Sequence, residues 1–262
     1  MEKDMVMAMV TGTATDSAAR RRTNFYPDYQ KGRRTEIKEK AKKNVMGKEV
    51  ERNGVIFYVD EKKFYNFIKR VFDFTAALFF VILFFWLFLG IAIAIKIDDG
   101  GPVFYISNRV GRYGKEFKFY KFRSMRTDAD EMFDSIKDKN ETNGELFKMK
   151  NDPRITRIGK FLRRTSMDEL PQFFNIIKGD ISFVGPRSPL PREVENYTDY
   201  SMQRLSVIGG LTCYWQVSGR SAIDFKGMVE LDYKYIKERG ILTDLKILLL
   251  TIPAVIKGDG AY

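Results

Sequence analysis

Two adjacent carboxylates, Asp168 and Glu169, stand in the string RRTSMDELPQFFN just after Arg163 and Arg164. Neighbouring guanidinium groups would keep Asp168 ionised and are themselves suited to holding phosphate. Ser166 followed three residues later by Glu169 also fits a capping box, with Asp168 in the first turn of the helix where the dipole favours negative charge. On a helix the two acids would project about 100° apart, so that one could attack a substrate while the other held a metal. Pro171 would remove a helix hydrogen bond close to them and free a carbonyl.

The chain has no histidine and one cysteine, Cys213. Histidine chemistry, an internal disulfide and a multi-cysteine zinc site are therefore excluded. Acid–base or covalent chemistry falls to Asp, Glu, Lys, Tyr, Ser or Thr. A metal, if used, should be a hard cation on oxygen ligands, with magnesium the default. Three further strings carry weaker signals. In GDISFVGPRSPLP, Gly185-Pro186-Arg187 ends an apolar strand and offers a turn with one guanidinium, a fair phosphate cradle. GGLTCYWQVSGR ends a β-like run on Gly219-Arg220, where Arg220 could bind phosphate or decorate a surface. Asp232 in ELDYKYI is a helical acid that could equally be solvated.

The elements that must position these groups divide the chain in three. Residues 1–60 are polar and basic, with Arg20-Arg21-Arg22, Arg33-Arg34 and Lys42-Lys43, and read as a disordered tail able to lie on anionic lipid. The beginning of the chain lacks the apolar core of a signal peptide. Residues 61–98 hold an uncharged run from Phe74 to Ile95 that as a helix would reach roughly 30 Å, near the thickness of a bilayer core. Both flanks are basic, so a helix that dips in and returns on one side satisfies the charge rule better than a crossing. Gly90 is the break signal within the run, which has no proline. Residues 99–262 read as a mixed α/β (α+β), helix-rich compact domain. KEFKFYKFRSM alternates as a half-buried strand. Helices are expected over 128–138, 156–164, 167–178 and DFKGMVELDYKYIKERG, and KDKNETNG reads as a loop. A last helix, ILTDLKILLLTIPAVIKG, carries Pro253 and would lie at the membrane interface or on the domain. The formal net charge of +11 calls for anionic partners, but it is spread through the chain and no nucleic-acid motif accompanies it.

Taken together, KRVFDFTAALFF, NRVGRYGKEFKFYKFRSM, NDPRITRIGKFLRRTSMDELPQ, NIIKGDISFVGPR, WQVSGR and KGDGAY closely resemble the bacterial sugar transferase family, the monotopic phosphoglycosyl transferases. The resemblance runs in order from about Lys69 to Tyr262 and suggests a short form without preceding membrane helices. It implies transfer of a sugar-1-phosphate from a UDP-sugar to polyprenyl (undecaprenyl) phosphate, at the cytosolic face of the bacterial inner membrane. Asp168 would be the nucleophile and Glu169 the magnesium contact, with Asp168 beside the Mg2+. Lys121, Arg123, Arg164, Pro186, Arg187 and Arg220 match positions suited to phosphate, and Asp232 a supporting acid. Membrane lipids and downstream glycosyltransferases are the implied partners. Departures are the missing Ser-Pro break in the membrane helix, Ser188 where Pro often follows GPR, and Gly209 and Cys213 where PGxTG is usual.

Overall fold

The computed structural model describes residues 48–52, 54–136, 149, 151–219 and 223–257. Most of the 1–60 tail, the KDKNETNG loop, Arg220 and the closing KGDGAY lie outside them. The end of the expected tail is ordered. β1 (Lys48–Arg52) and β2 (Val55–Val59) form an antiparallel hairpin around Gly54, whose φ of 76° suits a tight turn. Phe57 and Val59 pack with Val110 and Leu205, and the Gln203 side chain bonds both faces of one peptide edge, accepting from Tyr58 N at 2.9 Å and donating to Ile56 O at 2.6 Å. The run VIFYV was too short to outweigh the basic composition around it, so composition placed the boundary about a dozen residues late.

α1 (Lys63–Leu83) and α2 (Phe85–Asp99) carry the uncharged run. No single helix among the described residues is long and apolar enough to cross a membrane, but this pair passes together, bent by 62°. The break falls at Phe84, not at Gly90, which lies inside α2 with open space where a side chain would be. Packing accounts for the position of the bend. Phe80 of α1 meets Phe173 and Phe183, whereas Phe88 of α2 meets Phe122 and Phe174, so the two segments follow different faces of the domain.

β3 (Phe104–Val110) and β4 (Glu116–Phe122) form a second antiparallel hairpin, with Tyr105 opposite Lys121. α3 (Ala129–Ile136) follows, then α4 (Arg157–Arg164), capped by the Thr156 hydroxyl accepting from Gly159 N. α5 (Gln172–Lys178) ends at Gly179, and Arg70 of α1 donates to its last carbonyls, Ile176 and Ile177, at 2.6 Å each. β5 (Ile181–Val184) pairs in parallel with β6 (Gly209–Thr212). The β-like reading of GGLTCYWQVSG stops there, because Tyr214–Ser218 is a short helix. A Cβ on Gly210 would lie 2.1 Å from Gly185 N, so this close strand approach admits no side chain.

α6 (Phe225–Glu238) and α7 (Ile241–Lys257) complete the domain. Ile247 of α7 is fully buried while Leu242, Leu249 and Ile252 are exposed, so α7 packs on the domain with one side and leaves the other apolar and open. Asp232 of α6 is buried against Arg204, its Oδ2 accepting from Nε at 2.8 Å. Arg204 also donates to the Tyr197 hydroxyl at 2.7 Å and to the Arg187 carbonyl at 3.3 Å. Removing Asp232 would strand a guanidinium with no exposed surface. Asp232→Asn should therefore cost about 3–5 kcal/mol, seen as a drop of roughly 10 °C in thermal midpoint, while Arg204→Met with Asp232→Leu should recover most of it.

Candidate active site

The cavity that gathers the chemistry lies between the β3–β4 hairpin and the turn after α4, and has a volume of about 730 Å³. Eight basic side chains and four acidic ones line it, so it suits an anionic ligand. Lys121, near the end of β4, reaches into it and meets both acids, with Nζ 2.7 Å from Glu169 Oε1 and 3.5 Å from Asp168 Oδ2.

Local backbone geometry delivers the acids to that lysine. α4 ends at Thr165, and Ser166 takes a left-handed conformation with φ 56°. The chain then makes a single 3-10 turn, Met167–Glu169. The expected capping box is absent. Ser166 makes no side-chain cap, and the Glu169 carboxylate is held by Lys121 rather than by the backbone. Pro171 precedes α5 as its N-cap, so it starts a helix instead of interrupting one. The expected 167–178 helix is thus a turn followed by a helix, because the ion pair outcompetes the cap for Glu169.

Three contacts hold the turn in place. Met167 and Leu170 pack on a cluster of Ile91, Ile95, Phe122 and Leu162, which ties the turn to α2, β4 and α4. Asn175 of α5, fully buried, accepts from Tyr120 N at 3.1 Å and donates to Lys118 O at 2.6 Å, locking α5 to the strand that carries Lys121. Gly159 lets α4 approach the end of β4. A Cβ there would sit 1.9 Å from the Ser124 carbonyl oxygen, and the approach brings Arg163 Nε 3.0 Å from Ser124 Oγ.

Electrostatically the site is a compromise. Burial raises the Asp168 carboxyl above the ordinary range, and the adjacent Glu169 adds to this while the Lys121 ammonium and Arg163 oppose it. For Lys121, burial alone disfavours the charged form, yet the Glu169 and Asp168 charges outweigh it and its pKa lies above the usual value.

A match to the bacterial sugar transferase family covers residues 64–258. The chain belongs to that family. Over 208 residues it is 46% identical to the galactosyl transferase CpsE of Streptococcus agalactiae, an alignment covering 76% of this chain and 45% of that one. It is 41% identical over 209 residues to the undecaprenyl-phosphate galactose phosphotransferase of Salmonella typhimurium, covering 77% and 43%. The exopolysaccharide production protein ExoY of Rhizobium meliloti is 41% identical over 198 residues, covering 74% of this chain and 88% of ExoY. The chain thus spans under half the length of the first two relatives and nearly all of the third.

Within this sugar transferase domain, the residues expected from sequence do not all converge. Asp168, Glu169, Lys121 and Arg187 meet at the cavity. Arg123 borders it, but its guanidinium is engaged by the Asp99 carboxylate and, through Nε, by the Pro102 carbonyl at 2.6 Å. Arg164 is exposed on α4 and outside the cavity; Arg163 is the arginine of the pair that lines it. Pro186 lies behind the wall, its carbonyl accepting from Gly210 N. Asp232 is locked to Arg204 in the core, and Arg220 lies outside the described residues. The helical periodicity that places Asp232 says nothing of a buried arginine from a distant segment.

Sequence reading named Arg163 beside the acids but missed Arg109, Gln172 and Trp215, which also line the cavity. The alternation in FYISNRV was the available signal for Arg109, since it puts that residue on the same hairpin face as Tyr105 and Lys121. For magnesium the donor chemistry fits. Asp168 and Glu169 supply two hard oxygen donors, and such an ion is typically completed by substrate phosphate and water. Among the described residues no group of three acidic, His or Cys side chains could hold it alone.

A raised Asp168 pKa has a sign for stability. Above that pKa the folded protein bears the cost of a buried ionised carboxyl, and the cost disappears as pH falls through it. Asp168→Asn should therefore raise the thermal midpoint at neutral pH by about 2–4 °C, and the gain should shrink on acidification. A lower midpoint at neutral pH would contradict this account.

Proposed function

We propose that this domain transfers a sugar-1-phosphate from a UDP-sugar to polyprenyl phosphate through a phosphosugar ester on Asp168. The observation that carries the reading is the Lys121–Asp168–Glu169 triad on the wall of a cationic cavity, in a chain of the bacterial sugar transferase family.

In its ionised form the Asp168 carboxylate attacks the phosphorus that bears the sugar. A P–O bond to Asp168 forms, the bond to the bridging oxygen breaks, and UMP leaves with the electron pair. An oxygen of polyprenyl phosphate then attacks the same phosphorus, and the carboxylate departs unchanged. Neither step requires a proton from the protein, which explains how the chemistry runs without histidine. Lys121 orients both carboxylates and opposes charge building on the phosphorus oxygens. Arg163 and Arg187 offer further cationic charge along the wall. Magnesium, held by Glu169 with Asp168 beside it, would offset the charge of the leaving phosphate.

The bent pair α1–α2 supports a re-entrant membrane insertion. Phe67, Phe79, Trp86 and Ile97 are largely exposed along it, and α7 adds Leu242 and Leu249, an apolar surface larger than a water-facing domain would keep. The basic flanks favour the cytosolic face of a bacterial membrane, from which a lipid-bound phosphate would reach the cavity. UDP-galactose is the first donor to test, because two relatives bear galactose or galactosyl in their names.

Incubation of the purified chain with radiolabelled UDP-galactose or other UDP-sugars, magnesium and undecaprenyl phosphate should yield a lipid-linked sugar and UMP. Without acceptor, mass spectrometry should find a hexose-phosphate on the peptide bearing Asp168, and none in Asp168→Asn. An adduct of equal yield in that variant would reassign the nucleophile. The pH dependence has a direction too. Activity should fall as pH drops through the raised Asp168 pKa, and Lys121→Met, which removes the main opposing charge, should move this acid limb to higher pH.

A further inference from the structure

A second part of the cavity wall is built for an oxyanion and is left incomplete by the protein. Arg109 on β3 pairs in register with Phe117, four residues before Lys121 on β4, so the two basic residues share one hairpin face about 13 Å apart along the strand. Its guanidinium lies over the Phe119 ring, 5.2 Å from the centroid, and donates through Nη1 to the Ser188 carbonyl at 3.1 Å. Among the described residues no carboxylate lies within ion-pair distance of it. By contrast Arg123, Arg154, Arg187 and Arg204 each have a carboxylate oxygen within 3.0 Å. The Nε of Arg109 and the hydroxyl of Ser188 are both buried without a hydrogen-bond partner among the described residues, and both residues line the cavity.

Such groups are costly to leave unsatisfied. Burial and the neighbouring Arg187 push the Arg109 guanidinium down to about 10, with Glu193 and Glu169 only partly offsetting them. It is still charged at neutral pH. Arg109 and Arg187 thus stand together on the cavity wall, and among the described residues only Arg187 of the two has a carboxylate partner.

We propose that Arg109, with the Ser188 hydroxyl, forms a phosphate-binding subsite of this cavity, separate from the Lys121–Asp168–Glu169 centre. The inference rests on the transferase reading above. Its ligand is a phosphate oxyanion, which the donor's diphosphate or the acceptor's polyprenyl phosphate would each supply. A bound oxyanion gives Arg109 the acceptors the protein omits and relieves its repulsion with Arg187.

The test measures KM for each substrate in the full chain, together with thermal midpoints. Arg109→Gln should raise one KM about tenfold or more, as expected for loss of a charge-assisted hydrogen bond. Arg109→Lys should show a smaller rise. An increase confined to the UDP-sugar, repeated in UMP release without acceptor, places the donor's diphosphate at Arg109. An increase confined to undecaprenyl phosphate, with acceptor-free UMP release unchanged, places the acceptor's phosphate there. Unchanged KM for both substrates, even with a lower kcat or midpoint, overturns the proposal and leaves Arg109 a purely structural contact. Should Arg109→Gln fail to fold, Ser188→Ala decides the matter. It keeps all charges and should raise one KM severalfold, whereas unaltered values would overturn the proposal. Failure of the unaltered chain to turn over any UDP-sugar would sink the transferase reading itself, whereas normal turnover with unmoved KM values sinks only this subsite.

Discussion

Two adjacent carboxylates cannot be half-buried on one turn without a cation, and Lys121 is that cation. Its ammonium lies 2.7 Å from Glu169 and 3.5 Å from Asp168, which ties the end of β4 to the turn after α4. Much else in the domain serves to make this meeting possible. The left-handed Ser166 turns the chain, Gly159 lets α4 approach, and Asn175 clamps α5 onto β4. A positively charged pocket follows, because the same hairpin face that carries Lys121 carries Arg109, and Arg163 and Arg187 line the same cavity.

The same constraint links the site to the apolar helices. Met167 and Leu170, which flank the acids, pack in one cluster with Ile91 and Ile95 of α2. The surface on which the turn bearing the two acids rests is therefore part of the segment expected to enter the bilayer. Arg70 of α1, which satisfies the end of α5, adds a second tie between that segment and the helix that follows the two acids. The packing thus joins the carboxylates to the apolar helix pair.

Asp232 shows how one residue type serves two purposes. Its charge is spent on Arg204, itself fully buried, and Arg204 reaches the carbonyl of Arg187 at the cavity wall. The acid thereby supports the position of a cavity-lining arginine from the core side. Arg123 has a comparable place, joining the end of α2 to the start of β3 through Asp99 and the Pro102 carbonyl. Both arginine–carboxylate pairs are buried framework that holds the cavity wall in place.

Local order in the sequence was enough to determine a good deal. The strand KEFKFYKF, the helices around 129–136, 157–164 and 225–238, and the uncharged length of 74–95 follow from periodicity and composition, because neighbouring residues alone set them. The pairing of Asp168 with Glu169 and the phosphate-suited character of Arg187 were likewise visible in their strings. Tertiary structure alone decided which partners those charges meet. A capping box and an ion pair compete for the same Glu169 carboxylate, and Lys121, 48 residues away, settles the contest in space. The break at Phe84 instead of Gly90, the burial of Asp232, and the choice of Arg163 over Arg164 all depend on surfaces brought from distant segments. Long-range packing and charge neutralisation in a low-dielectric interior carry no local signature, which is why these features could not be read along the chain.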